Sequence, residues 1–111
     1  MPATRAQLRR FALSLPEAFE DHPWGESVAK VRGKIFVFLG EDGSKRITVK
    51  LVESHEHALA IEGAAPTGYG LGKAGWVTVP FGDVPIDVAR DWIEESYRIV
   101  APKRLVALLD A

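Results

Sequence analysis

Residues 28–51 read VAKVRGKIFVFLGEDGSKRITVKL, and this stretch decides the fold. Two runs rich in β-branched and aromatic residues, Val28–Arg32 and Ile35–Leu39, flank Gly33-Lys34, where glycine supplies the positive φ of a tight hairpin turn. Pairing across that turn places Ala29, Val31, Phe36 and Phe38 on one face, and Val28, Lys30, Arg32, Ile35 and Val37 on the other. Apolar residues on both faces predict a sheet partly covered on its second side, because a free antiparallel face is ordinarily polar. Gly40-Glu41-Asp42-Gly43-Ser44 is the next turn. Lys45–Leu51 then alternates with period two, with Ile47, Val49 and Leu51 inward and Arg46, Thr48 and Lys50 outward.

Helices are expected on both sides of these strands. Upstream, Thr4-Arg5-Ala6-Gln7 has the form of a capping box, and Leu8, Phe11, Ala12 and Leu15 recur at helical spacing until Pro16 ends the run. Residues 16–26, with two prolines and a glycine, read as a loop. Phe19 and Trp24 are too costly to expose and are expected to pin that loop over the core. Downstream, Ser54 caps a short helix over His55–Glu62, anchored by Leu59 and Ile61 and closed by Gly63. A glycine-rich loop leads into the strand Trp76–Val79, which Pro80 stops. Pro85 opens a long helix with Ala89, Trp92, Ile93, Ser96, Ile99 and Val100 on one stripe, and Pro102 starts a last helix carrying Leu105, Leu108 and Leu109. Short links favour antiparallel neighbours, so the expectation is an α+β domain over residues 1–111, an antiparallel sheet with helices packed on one face.

The chain has 111 residues, 47% of them hydrophobic and 26% charged, which suits one globular core without staples. The absence of cysteine excludes disulfides, thiolate metal sites and cysteine nucleophiles, and fits a cytoplasmic protein. No apolar run reaches the roughly 18–20 residues of a membrane span, and no signal-peptide core is evident, so no membrane association is expected. A net charge of −1 gives no global attraction to nucleic acid. Charge is nonetheless segregated along the chain. Ser27–Val52 carries six cations (Lys30, Arg32, Lys34, Lys45, Arg46, Lys50) against Glu41 and Asp42, whereas Asp83–Glu95 carries five acids against Arg90.

Catalytic signatures are weak. Gly70-Leu71-Gly72-Lys73-Ala74-Gly75 matches G-x-G-x-x-G, yet a strand follows where a dinucleotide site needs a helix N-terminus. Gly72-Lys73 is no Walker loop either, because Thr67 stands where its first glycine belongs. His55 and His57 lie two apart on a helix and diverge, and His22 sits alone in a loop, so the histidines read as surface residues without a metal. The serines lack a nucleophile motif, and Glu94-Glu95 reads as a solvated helix face. The expectation is a protein without enzymatic activity, cofactor or metal.

Ile47-Thr48-Val49-Lys50, the run Gly68–Val79, and Glu95-Ser96-Tyr97-Arg98 followed by Pro102-Lys103-Arg104 resemble the YjbR/MmcQ-like family of small bacterial proteins, over nearly the whole chain. The resemblance implies an α-β3-α-β2-α sandwich similar to secretion-chaperone folds, with Tyr69–Leu71 as the fourth strand. It also implies a "double wing" DNA-binding module, a label that rests on structural analogy. Many members carry a loop of the form histidine-leucine-asparagine-lysine, with a second histidine before the tryptophan. Here Gly70, Gly72 and Gly75 take those places, while Lys73 and Trp76 remain.

Two functional expectations follow. In the first, Lys30, Arg32, Lys34, Arg46 and Lys50 line strands and one hairpin tip, with Lys73 and Trp76 on a second hairpin and Lys103 and Arg104 at the last helix. Cations of that kind neutralise DNA phosphates, and a tryptophan stacks on a base. In the second, the two-sided apolar hairpin and the acidic helix serve a protein partner or a homodimer.

Overall fold

The computed structural model describes residues 2–68 and 70–111. The chain order is α1 (Arg5–Leu13), β1 (Phe19–Asp21), β2 (Ser27–Val31), β3 (Lys34–Gly40), β4 (Arg46–Lys50), α2 (His55–Leu59), β5 (Ala65–Pro66), a 3₁₀ turn (Leu71–Ala74), β6 (Trp76–Pro80), α3 (Ile86–Val100) and α4 (Lys103–Leu109). The strands form one antiparallel sheet in the order β1-β2-β3-β4-β6-β5, and the fold is α+β with helices packed on the sheet. One element exceeds the expected pattern: β1 adds an edge strand inside the predicted loop, whereas α4 lies where Pro102 predicted a last helix. The predicted strand at Tyr69–Leu71 has a different outcome. Tyr69 lies outside the described residues, Leu71 begins the 3₁₀ turn, and the extra strand beside β6 is Ala65–Pro66.

Local chemistry sets these elements. Thr4 and Gln7 close a reciprocal capping box on α1, with N–H···O distances of 3.2 and 3.1 Å. The β2–β3 turn is Arg32-Gly33, one residue earlier than predicted, and both residues have positive φ (51° and 79°), the conformation of a tight two-residue hairpin. β2 carries the partner register from Ala29↔Val37 to Lys30↔Ile35, which leaves Phe36 as an extra residue in β3.

That bulge changes which residues face the helices. Phe36, Val37 and Leu39 all turn into the main core, while Phe38 shares the opposite face with Val28 and Thr48. The expected places of Val37 and Phe38 are therefore exchanged, because one inserted residue flips the alternation beyond it. The insertion is held from α3. The buried Ser96 hydroxyl donates to the Phe36 carbonyl and accepts from the Lys50 amide at 2.9 Å, joining β3 to β4 where their ladder opens.

The residues around Ser96 tether further elements. Glu95, expected on a solvated helix face, accepts from the Val52 and Ser54 amides at 2.7 and 3.2 Å and closes the approach to α2. It also takes over at Ser54, whose own side chain makes no capping bond. Tyr97, buried edge-on against Phe36 at 5.2 Å, donates to the Pro16 carbonyl at 2.7 Å. Arg98 binds Glu94 on its own helix and Asp110 beyond α4. The core beneath consists of Leu8 and Ala12 of α1, Ala89, Trp92 and Ile93 of α3, Leu105 of α4 and the inward residues of β2, β3, β4 and β6. Among the described residues no helix is long and apolar enough to cross a membrane.

Candidate nucleic-acid interface

The face of the sheet turned away from the helices is assembled by register. Phe19 and Asp21 of β1, Val28 and Lys30 of β2, Ile35 and Phe38 of β3, Arg46, Thr48 and Lys50 of β4, and Trp76 and Thr78 of β6 all point to it. Val28 and Trp76 are buried there yet stand apart from the main core. Phe38 meets the edge of Trp76 with ring centroids 5.4 Å apart. This is a small second apolar layer, and its cover is incomplete. Trp24 and Phe19 remain 72% and 45% exposed, contrary to the expectation that they pin the loop over the core. Phe19 belongs to the edge strand β1, and Trp24 borders the open face beside Phe38 and Thr48.

Beside this layer the sheet gathers charge at one end. The registers Val31↔Lys34 and Lys50↔Trp76 place the β2–β3 turn, the end of β4 and the start of β6 together there. Lys34 and Arg32 share a depression with Lys103 at the start of α4, and Arg104 lies close enough to act on the Glu17 carboxylate. Lys73, on the 3₁₀ turn just before β6, belongs to the same end. Arg46 lies at the opposite end, beside Pro80.

Two of the nine predicted residues are neutralised. Lys30 holds Asp21 at 2.8 Å and Arg32 holds Glu17 at 2.7 Å, and each hydrogen bond keeps its carboxylate below the ordinary range. Lys34, Arg46, Lys50, Lys73, Lys103 and Arg104 make no ion pair among the described residues. Trp76, only 8% exposed, is a floor residue, and Trp24 is the tryptophan offered to solvent over the same face.

Three amides of the glycine loop are spent within it. The Leu71 amide donates to Gly68, Gly72 to Thr67 and Gly75 to Gly72, so these donors are engaged within the loop. Gly75 has φ +99°, and a Cβ there would lie 2.8 Å from the Leu51 carbonyl oxygen. Glycine at this position is a requirement of backbone approach.

A row of hydroxyls crosses the open face with no counterpart in the sequence reading. Thr48 and Thr67 each hydrogen-bond Thr78, at 2.9 and 3.0 Å. The outward alternation at Thr48 was visible, but its partner Thr78 is thirty residues away and becomes a neighbour only through the β4–β6 pairing.

The YjbR family model matches residues 13–99 of the chain, which takes in Ile47–Lys50, Gly68–Val79 and Glu95–Arg98 and stops short of Lys103 and Arg104. No curated protein matches the sequence.

Proposed function

The chain belongs to the YjbR family, and from that premise we propose that it is a nucleic-acid-binding module that takes DNA through its phosphates. One observation carries this reading: Lys34, Lys50, Lys73, Lys103 and Arg104 meet at one end of the sheet without ion-pair partners among the described residues, beside a face that no helix covers. The five acids of the 83–95 segment lie on and just before α3, away from the open face. The reading is of a binding module without catalytic chemistry, and the cysteine-free composition fits the cytoplasm.

Fluorescence anisotropy with labelled single- and double-stranded oligonucleotides tests it. Affinity should fall steeply between low and physiological salt, and Lys50→Ala and Lys73→Ala should each shallow the log–log slope by about one. No binding at micromolar protein in low salt would end the proposal.

The exposed Phe19 and Trp24 favour a second reading, a homodimer or protein partner on the open face. Light scattering that shows a strict monomer across the working concentrations removes its dimeric form.

A further inference from the structure

The open face holds a concavity of about 680 Å³ lined by Trp24, Glu26, Phe38, Thr48, Thr67 and Leu71. Resting on the nucleic-acid reading above, we infer that this concavity seats one unpaired base of a single strand, and that the base is guanine.

The walls ask for a flat ring. Phe38 and Leu71 supply apolar contact, and Trp24, 72% exposed, offers an indole face of the kind on which bases stack. The polar groups ask for hydrogen-bond donors at the ring's edge. Glu26 has no ion-pair partner among the described residues and presents acceptors only. In the Thr48–Thr78–Thr67 chain, three hydroxyl protons serve two hydrogen bonds, so one proton and several lone pairs remain for an occupant. Among the common bases guanine alone carries two adjacent donors, N1–H and N2–H, that a carboxylate fork accepts together. That edge is free only outside a duplex, which makes the substrate single-stranded.

Charge around the concavity fits the phosphates on either side of such a base. Arg46 and Lys50 flank Thr48 on the same face of β4, each about 7 Å away along the strand. Lys73 sits on the 3₁₀ turn that contributes Leu71. A lipid tail has no use for the carboxylate, and an acidic peptide would be repelled by it.

The test uses the whole chain with short thymine oligomers bearing one central guanine, hypoxanthine or adenine, read by anisotropy and by tryptophan emission under acrylamide. Trp76 and Trp92 are 8% and 1% exposed, so quencher-accessible emission reports Trp24. The guanine oligomer should bind about tenfold tighter than the adenine one, with hypoxanthine between them, and should shield Trp24 from acrylamide. Trp24→Ala should weaken every oligomer about tenfold, and Glu26→Gln should level guanine with adenine while leaving the salt slope intact. Salt-dependent binding that ignores both substitutions and leaves Trp24 accessible overturns the base site and leaves the module reading standing. Absence of any oligomer binding in low salt overturns both.

Discussion

The two faces of this sheet treat their polar groups in opposite ways. On the helix side Glu95, Ser96, Tyr97 and Arg98 are consecutive, and each ties down a different element: the approach to α2, the β3–β4 opening, the end of α1's connection and α4. Among the described residues no buried side-chain nitrogen or oxygen there lacks a partner. On the open side a hydroxyl chain keeps a spare proton, Glu26 keeps both oxygens, and Arg46 and Lys50 keep their charge. A stable fold requires satisfaction where water is excluded. Unused capacity gathered beside an aromatic surface has no such structural role, which is why the open face is the place to look for function.

The three tryptophans give the sharpest way to break that contrast. Trp92 fills the centre of the covered side at 1% exposure, and Trp92→Ala should remove about 3–5 kcal/mol in a urea titration. A loss below about 1 kcal/mol would mean that the helix layer is not where stability resides.

Acid should act next, and again on the helix side. Arg9 and then Ser27 hydrogen-bond Glu20, holding its pKa down to about 2 against an ordinary 4.5. A depressed folded-state pKa gives stability that is complete above pH about 4.5 and is lost as pH falls towards about 2. Glu20→Gln should flatten that acid limb and lower neutral-pH stability by about 1.5–3 kcal/mol, the range for hydrogen bonds to a charged group. An unchanged limb in the variant would move the acid sensitivity to another carboxylate.

Much of the covered side was legible. The capping box at Thr4–Gln7, the alternation of Ile47, Val49 and Leu51, and the stripe Ala89-Trp92-Ile93-Ser96 are local patterns, and local patterns survive folding when nothing distant opposes them. Val37 and Phe38 were misassigned because the bulge at Phe36 is fastened by Ser96, sixty residues away, with no trace in the hairpin itself. β1 was hidden for a similar reason: three residues become a strand only because β2 offers an edge. On the open face the cations were legible by type, whereas their division into Lys30 and Arg32, already paired, and the remainder, still free, depends on where Asp21 and Glu17 arrive. Trp24 was placed over the core by a burial argument that is sound on average. It failed here because the sheet has a second apolar layer too thin to cover an indole.

Ser96→Ala tests the fastening. It leaves the Phe36 carbonyl and the Lys50 amide without their shared hydroxyl, at a cost of about 1–3 kcal/mol. Hydrogen exchange should show the Lys50 amide opening faster than its neighbours in β4. Uniform exchange along β4 would show that the strands are held by packing alone.

The smallest expected effect says most about the open face. Trp24 carries as large an apolar surface as Trp92, so residue type alone predicts that the two substitutions cost alike. At 72% exposure, however, most of its ring already meets water in the folded state, and Trp24→Ala should change stability by no more than about 0.5 kcal/mol. The same substitution is expected to weaken oligonucleotide binding about tenfold, so stability and binding should separate at this residue. If Trp24→Ala instead unfolds the protein at a cost comparable to Trp92→Ala, the loop over the open face is the lid of a second core. The concavity beneath it would then be a packing defect, and the contrast between the two faces would dissolve.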